Sequence, residues 1–189
     1  MITPRRSDER RHTRERAFDR WATFAGDDRA DLLAAAFAPL VRIDELRLDP
    51  GASLARGTRD DVLAITLVLA GVVTCADATG RAEVVTAGEV HRGALPRGSD
   101  HRATNPSVAD DARALQVWLR ADQPSPGTGL RRFSAADRRG RWCLVAARDG
   151  GRGALPLGQD AQVFAALVTE GQHLVHGLGP GHLAWIHVR

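Results

Sequence analysis

Short apolar runs separated by glycine and proline constrain the fold of this chain more than any other feature of its sequence. The longest run, residues 62–73, is dense in β-branched side chains and is broken only by Gly71. The other strand-like runs cover residues 41–44, 46–48, 82–86, 90–92, 114–119, 142–147, 161–169, 173–178 and 182–188. Short strands at spacings of about 8–12 residues, with turn residues between them, are typical of an all-β barrel or sandwich. We therefore predict an all-β fold.

A segment rich in proline and glycine, residues 123–129, divides these strands into two units. One short helix is expected over residues 29–38, because Asp27 and Asp28 can cap its start and Pro39 ends it. The predicted divisions are an N-terminal arm with this helix at 1–39, a first barrel at 40–121, a linker at 122–139 and a shortened second unit at 140–189.

Composition and charge exclude several classes of protein. The 189 residues are 43% hydrophobic, which is enough for a packed core. No apolar run approaches the roughly 18 residues of a membrane span, and the N-terminus carries arginine where a signal peptide needs apolar residues. We therefore expect a cytoplasmic protein with no membrane contact.

The net charge of +3 resides in the first twenty residues, which hold seven arginines and four acidic side chains. The rest of the chain is balanced, since 26 − 7 leaves 19 basic and 23 − 4 leaves 19 acidic residues. A nucleic-acid-binding domain needs a basic face, so a specific nucleic-acid partner is not expected.

The two cysteines, Cys75 and Cys143, lie far apart in apolar strand-like runs. In a reducing compartment we expect two free, buried thiols, and a disulfide is the alternative. The absence of a C-x-x-C pattern excludes a zinc site built on cysteine.

Two stretches of the first unit carry glycine, proline and histidine at characteristic spacings. One runs from Gly51 to Gly71, and the other begins at Gly88 and ends in P-x-G-x-x-H-x-x-x-N at residues 96–105. These stretches resemble the two motifs of the cupin superfamily. Further segments resemble the pirin family, including its quercetinase-like bacterial members: residues 39–43, 49–51, 105–107, 115–118, 132–133 and 144–150.

The resemblance implies two tandem β-barrels (a bicupin) and a mononuclear metal, usually iron, in the first barrel. The family's metal ligands are three histidines and a glutamate, which fall here on Gly57, Arg59, His101 and Ala103. An acidic position that other cupins use falls on Leu63 or Ala64. A single imidazole holds iron weakly, so we expect no metal and no other cofactor.

A rearranged metal site is the alternative, with a carboxylate from Asp60 or Asp61. Alternation along a strand allows only one of these two neighbours to face inward.

In a barrel without metal, His101 and Arg59 are the candidate catalytic residues. The candidate ligand-binding residues are Arg59, His101, His91 and Asp61. An arginine and a histidine in a small apolar barrel suit an anionic or phenolic ligand, and histidine can move a proton near neutral pH. The alternative role for His101 is a framework residue hydrogen-bonded inside the barrel.

The second unit is shorter than a complete cupin barrel, which leaves a sheet edge open. We expect that edge at residues 182–188, either paired in a homodimer through the C-terminal half or closed by the N-terminal segment. Four further histidines are expected at the surface or at the barrel rim: His173, His176, His182 and His187.

Three functions are compatible with this pattern. The first is a metal-free pirin-like protein that binds a small aromatic or anionic molecule or a protein partner. The second is a cofactor-independent isomerase, cyclase or lyase that uses the vacated cavity. The third is a quercetin 2,3-dioxygenase-like metalloenzyme with an atypical site. A buried His101 whose nitrogens are satisfied by backbone groups would favour the first function, and convergence of His101 with Arg59 within about 4 Å would favour the second.

Overall fold

The computed structural model describes residues 5–24, 36–58, 60–77, 79–121 and 127–188. Nearly all regular structure in these ranges is β, which confirms the predicted fold class. The strands are β1 Arg11–Glu15, β2 Phe18–Thr23, β3 Leu40–Leu48, β4 Ser53–Gly57, β5 Val62–Ala70, β6 Val72–Ala76, β7 Ala82–Thr86, β8 Glu89–Leu95, β9 Asp100–Thr104, β10 Ala112–Arg120, β11 Gly129–Arg132, β12 Cys143–Ala147, β13 Leu155–Pro156 and β14 Gln162–Ala165. A one-turn helix, α1, covers Ala135–Arg138. The predicted helix at 29–38 lies outside the described residues except at its last positions, where the chain turns.

The first unit is a sandwich of two sheets that are not closed into one continuous ladder. A seven-stranded sheet has the order β1-β2-β3-β10-β5-β8-β11, and a four-stranded sheet has the order β4-β9-β6-β7. Small and branched side chains fill the space between them, including Val68, Val73 and Val85. This space is the barrel interior.

Strand β5 shows why the large sheet is buried on both faces. Leu63, Ile65 and Leu67 belong to a core shared with the second unit, whereas Ala64 and Val68 belong to clusters on the interior face. Because successive side chains alternate across a strand, a continuous apolar run indicates that both faces are covered.

Gly71 separates β5 from β6 at the break in the longest apolar run. Its φ of +72° is a left-handed conformation, and a Cβ at this position would lie 2.8 Å from the carbonyl oxygen of Asp111. Both features require glycine at this sharp turn.

The N-terminal segment forms strands that belong to the first unit. Strand β2 pairs antiparallel with β3, and β1 pairs with β2 at the sheet edge. The buried Asp19 in β2 accepts hydrogen bonds from His12 and Arg14 of β1. The described hairpin of this segment therefore extends the seven-stranded sheet and pairs with no strand of the second unit.

The second unit is a three-stranded sheet with the order β13-β12-β14. The strands predicted over 173–178 and 182–188 are wrong, because these described residues form no ladder. Several apolar side chains there stay exposed, such as Val175 at 90%. Trp185 instead anchors the segment by packing its ring 4.6 Å from that of Phe24. The predicted homodimer through this half stays a prediction.

The predicted linker also contains regular structure, because β11 pairs with β8 of the large sheet and α1 follows it. The division of the chain into domains otherwise stays a prediction.

Candidate functional site

A row of four polar side chains crosses the interior face of the large sheet. Gln116 of β10 is the register partner of Asp44 on β3 and of Thr66 on β5, and Thr66 is in turn the partner of His91 on β8. All four residues are buried. Directly opposed residues in antiparallel strands share a face, so the fold gathers these groups at one level of the interior.

His101 reaches this row from the opposite sheet. Its Nε2 lies 2.9 Å from the amide nitrogen of Gln116, which also donates to the Thr66 hydroxyl at 3.2 Å. The amide N–H is the donor, so His101 Nε2 accepts and the ring proton lies on Nδ1. Burial, and to a smaller extent the neighbouring His91, lowers the pKa of His101 to about 4. The imidazole is therefore neutral near pH 7.

An ion pair and an aromatic ring lie beside the polar row. Arg42 Nε is 2.8 Å from Asp44 Oδ2, and the Arg42 guanidinium lies 4.8 Å from the centre of the Trp118 ring. The His101 ring meets the same indole edge-on at 5.3 Å. Burial raises the pKa of Asp44, and the positive charges of Arg42 and Arg20 oppose that shift.

Several buried polar atoms around this interior have no hydrogen-bond partner among the described residues. They are Asp44 Oδ1, Glu83 Oε2, His91 Nδ1 and Trp118 Nε1. Glu83 Oε2 lies 3.6 Å from His91 Nε2. Burial lowers the pKa of His91, and the nearby Glu83 carboxylate opposes that shift. Unpaired buried polar groups are costly, so these atoms call for water or a ligand with matching groups.

The described residues at the metal-ligand positions that the resemblance implies do not fit a metal ion. Gly57 has no side chain, and a Cβ there would lie 3.3 Å from Asp100 Oδ1. Ala103 presents a buried methyl group within an apolar cluster. Among the described residues at these positions, His101 alone has an atom that could coordinate a metal, and its Nε2 accepts a hydrogen bond from Gln116. In the part of the chain that the structure describes, no three side chains of His, Cys, Asp or Glu converge to hold a metal.

The structure brings two of the four predicted site residues together, His91 and His101, whose rings both lie in the barrel interior. Asp61 is exposed, and its carboxylate accepts a hydrogen bond from the backbone N–H of Arg97 at 2.7 Å. Arg59 lies outside the described residues.

The remaining cysteines and histidines are placed as follows. Both cysteines are free thiols, with Cys75 buried. Burial raises the pKa of Cys75 to about 12. His173, His176 and His182 are exposed, and the His176 ring also lies 4.9 Å from that of Phe164. His187 is partly buried, 3.8 Å from Glu45 Oε2.

Sequence reasoning missed the other interior groups: Arg42, Asp44, Glu83, Gln116 and Trp118. Alternation could have found two of them, because the clear strand at 114–119 places Gln116 and Trp118 on one face with Ala114. The cross-strand neighbours depend on register and sheet order, for which a single strand carries no signal.

Comparisons with known proteins agree with this architecture. A family described as the quercetinase C-terminal cupin domain matches residues 144–189. Quercetin 2,3-dioxygenases of Escherichia coli K12 and O157:H7 are 27% identical over 190 aligned positions, which cover 100% of this chain and 81% of theirs.

Similar solved structures include bacterial pirins. The crystal structure of YhhW from Escherichia coli matches with a TM-score of 0.71 and 27% identity, over 85% of this chain and 68% of that chain. The nickel(II) complex of that bacterial pirin matches with a TM-score of 0.69 and 27% identity, over 85% and 69%. YhaK from the same species, at 22% identity and a TM-score of 0.58 over 65% of this chain and 53% of that one, shows the fold alone.

The two-sheet sandwich with its polar interior is thus a cupin. Within that superfamily, the chain is similar in sequence and structure to bacterial pirins and quercetin 2,3-dioxygenases. No helix in the described ranges has the length and apolar character needed to cross a membrane.

Proposed function

We propose that this pirin-like protein works without a metal ion and binds a small aromatic or anionic molecule in its first barrel. The observation that carries the proposal is the state of the family's ligand positions. Among the described residues there, only His101 has an atom that could coordinate a metal, and the hydrogen bond from Gln116 occupies its Nε2. A metal site with three or four converging donors cannot be assembled from glycine, alanine and one engaged imidazole.

The unpaired interior atoms support a ligand with polar groups. His91 Nδ1 and Trp118 Nε1 face the same interior as Asp44 Oδ1, and none of these atoms has a hydrogen-bond partner among the described residues. A hydroxyl or carboxyl group on the ligand would satisfy them, while its ring would contact the small apolar side chains beside them. Of the predicted binding residues, we assign ligand contact to His91 and His101, and Arg59 stays a prediction.

Metal loading tests the first half of the proposal. The protein is offered iron, nickel and zinc, and its metal content is measured in parallel with YhhW from Escherichia coli, a pirin whose nickel(II) complex is known. We expect less than about a tenth of a metal ion per chain, because one imidazole is a weak site. Near one ion per chain, lost in His101→Ala, would refute the proposal and restore the dioxygenase hypothesis.

A triple variant provides the matched control. Gly57→His, Arg59→His and Ala103→Glu together return the family's donor set to its positions. We expect this variant to bind nickel, whereas the parent chain does not. That result would show that the ion is excluded by the missing coordinating side chains and not by an altered backbone around the site.

Ligand binding is tested by NMR of the histidine ring protons with 2-naphthol and quercetin as probes. We expect either probe to shift the His91 and His101 signals while leaving those of the exposed His182 unchanged. His91→Gln should abolish the shift at His101, and His182→Gln should not. Probe binding that leaves both interior rings unperturbed would overturn the assignment to the first barrel.

A second candidate function, proton-transfer catalysis of the isomerase, cyclase or lyase type, is favoured by the His91–Glu83 pair. A carboxylate 3.6 Å from one ring nitrogen can orient a base whose other nitrogen has no partner among the described residues. This moves the candidate base from His101 to His91. Deuterium exchange at carbon acids in D2O would test it, with activity expected to disappear in His91→Gln and to persist in His101→Gln.

A further inference from the structure

The second unit carries a groove of about 820 Å³ that shares no lining residue with the barrel interior. Its floor comes from β12 and β14, and three aromatic rings line it: Phe133, Trp142 and Phe164. Ligand pockets in proteins occupy roughly 300–1,000 Å³ and are lined mainly by apolar and aromatic groups with a few polar ones. The size of the groove therefore suits a small organic ligand, and its lining combines aromatic with charged side chains.

The aromatic wall is held in place by neighbouring groups. Trp142 Nε1 donates to the carbonyl oxygen of Val175 at 3.2 Å. The His176 ring lies 5.9 Å from the Trp142 ring and 4.9 Å from the Phe164 ring. A stacking surface that is already fixed reduces the ordering cost of binding a flat ring.

Positive charge is in excess around the groove. Three arginines line it, against two aspartates, for a net charge of +1: Arg141, Arg148 and Arg152, with Asp137 and Asp149. The Asp137 carboxylate is engaged by Ser134 at the start of α1. Arg148 and Arg152 are exposed, and neither side chain has an ion-pair partner among the described residues.

The backbone at Arg152 also presents its side chain in an unusual way. Arg152 has a φ of +60°, the left-handed conformation that favours glycine, and it lies between Gly151 and Gly153. An arginine held there at the groove rim is available to an anion at the mouth of the groove.

We propose that this groove binds a planar aromatic carboxylate, with its ring against Trp142 and Phe164 and its carboxylate between Arg148 and Arg152. A guanidinium group binds a carboxylate through charge-assisted hydrogen bonds, and the aromatic wall accommodates the flat ring. The site is separate from the first barrel, so it does not depend on the function proposed for that barrel.

Cys143 supplies a local reporter, because it lines the groove and is half-buried. The only other cysteine, Cys75, is 1% exposed and stays unreactive in the folded protein. Alkylation by the uncharged reagent iodoacetamide, followed by intact-mass measurement at mildly alkaline pH, therefore reports Cys143 alone.

The probe is 2-naphthoate, titrated against the alkylation rate of the full chain. We expect saturable protection of Cys143 by 2-naphthoate, and no protection by the uncharged 2-naphthylmethanol or by acetate, which lacks a ring. Equal protection by the alcohol would show a purely apolar groove and overturn the proposal, as would the absence of any protection.

Arginine variants test the charge. The double variant Arg148→Gln and Arg152→Gln should raise the dissociation constant of 2-naphthoate about tenfold, since charge-assisted hydrogen bonds are lost. Arg102→Gln is the matched control, because Arg102 is exposed on β9 outside the groove. The dissociation constant is taken from the protection curve, so a changed intrinsic thiol reactivity cancels. An unchanged constant in the double variant would refute the carboxylate contact.

Discussion

Acidification from about pH 8 to about pH 5 is expected to reduce the free energy of unfolding by about 2 kcal/mol through His101 alone. Burial lowers the pKa of this imidazole from its ordinary value of 6.5 to about 4. The pKa of His101 thus differs by 6.5 − 4 between the unfolded and the folded chain. This difference corresponds to about 3 kcal/mol of unfolding free energy once the group is fully protonated, of which about 2 kcal/mol is lost by pH 5.

The direction of this stability change follows from proton uptake by the unfolded chain. Between pH 6.5 and about 4 the unfolded chain binds a proton at this position and the folded chain does not. Stability therefore rises with pH across that window and is independent of this group above it. Burial also lowers the pKa of His91, which adds a loss of the same sign.

The contribution of His101 is isolated by substitution. Urea unfolding, followed by the fluorescence of the four tryptophans, is measured at both pH values for the parent chain and for His101→Gln. Glutamine keeps a hydrogen-bonding group beside Gln116 but does not titrate. The acid-induced loss should shrink by about 2 kcal/mol in this variant and stay unchanged in His173→Gln, where the ring is exposed.

An acid-induced loss as large in His101→Gln as in the parent chain would refute this reasoning. Should the variant fail to fold, NMR of the parent chain decides the question. The His101 ring proton must then show no titration above about pH 5, and a midpoint near its ordinary value of 6.5 would contradict the assigned burial.

Three further perturbations test the fold itself. Gly71→Ala should lower the free energy of unfolding by more than about 2 kcal/mol, because its Cβ would lie 2.8 Å from the Asp111 carbonyl oxygen. Gly80→Ala is the control and should cost less, since Gly80 has a positive φ but open space around it. Equal costs of the two variants in urea unfolding would exclude the clash. Asn105→Ala should cost about 3 kcal/mol, since its buried amide nitrogen donates to three backbone carbonyls, and a loss below about 1 kcal/mol would contradict that role. Arg152→Gly should leave stability unchanged or raise it by about 1 kcal/mol, because its φ of +60° suits glycine, and a lower melting temperature would argue against strain.

The first unit was predictable from sequence because each of its strands carries a local signal. The run at 62–73 breaks at Gly71, and the structure places the turn there between Ala70 and Val72. The second unit was less predictable. Residues 173–178 and 182–188 have β-forming composition, but a strand also needs a neighbour, and none of the described strands lies beside them.

The interior site was predictable only in part, for the same physical reason. A histidine in a recognisable motif identifies His101, but its chemistry depends on Gln116, which comes from another sheet. Glu83 and His91 likewise lie on different sheets, the four-stranded and the seven-stranded one. Such pairings arise from tertiary packing, and the properties of a neutral, engaged imidazole follow from burial that no short motif encodes.

The core shared by the outer face of the large sheet and the second unit has a thermodynamic consequence. Leu63 and Ile65 of β5 pack in one cluster with Val145 and Leu155 of the second unit. Removing either unit would expose the apolar face of the other, so the two are expected to unfold in a single cooperative transition. The two units are thus expected to behave energetically as one domain, in which the second unit serves as the hydrophobic cover of the first.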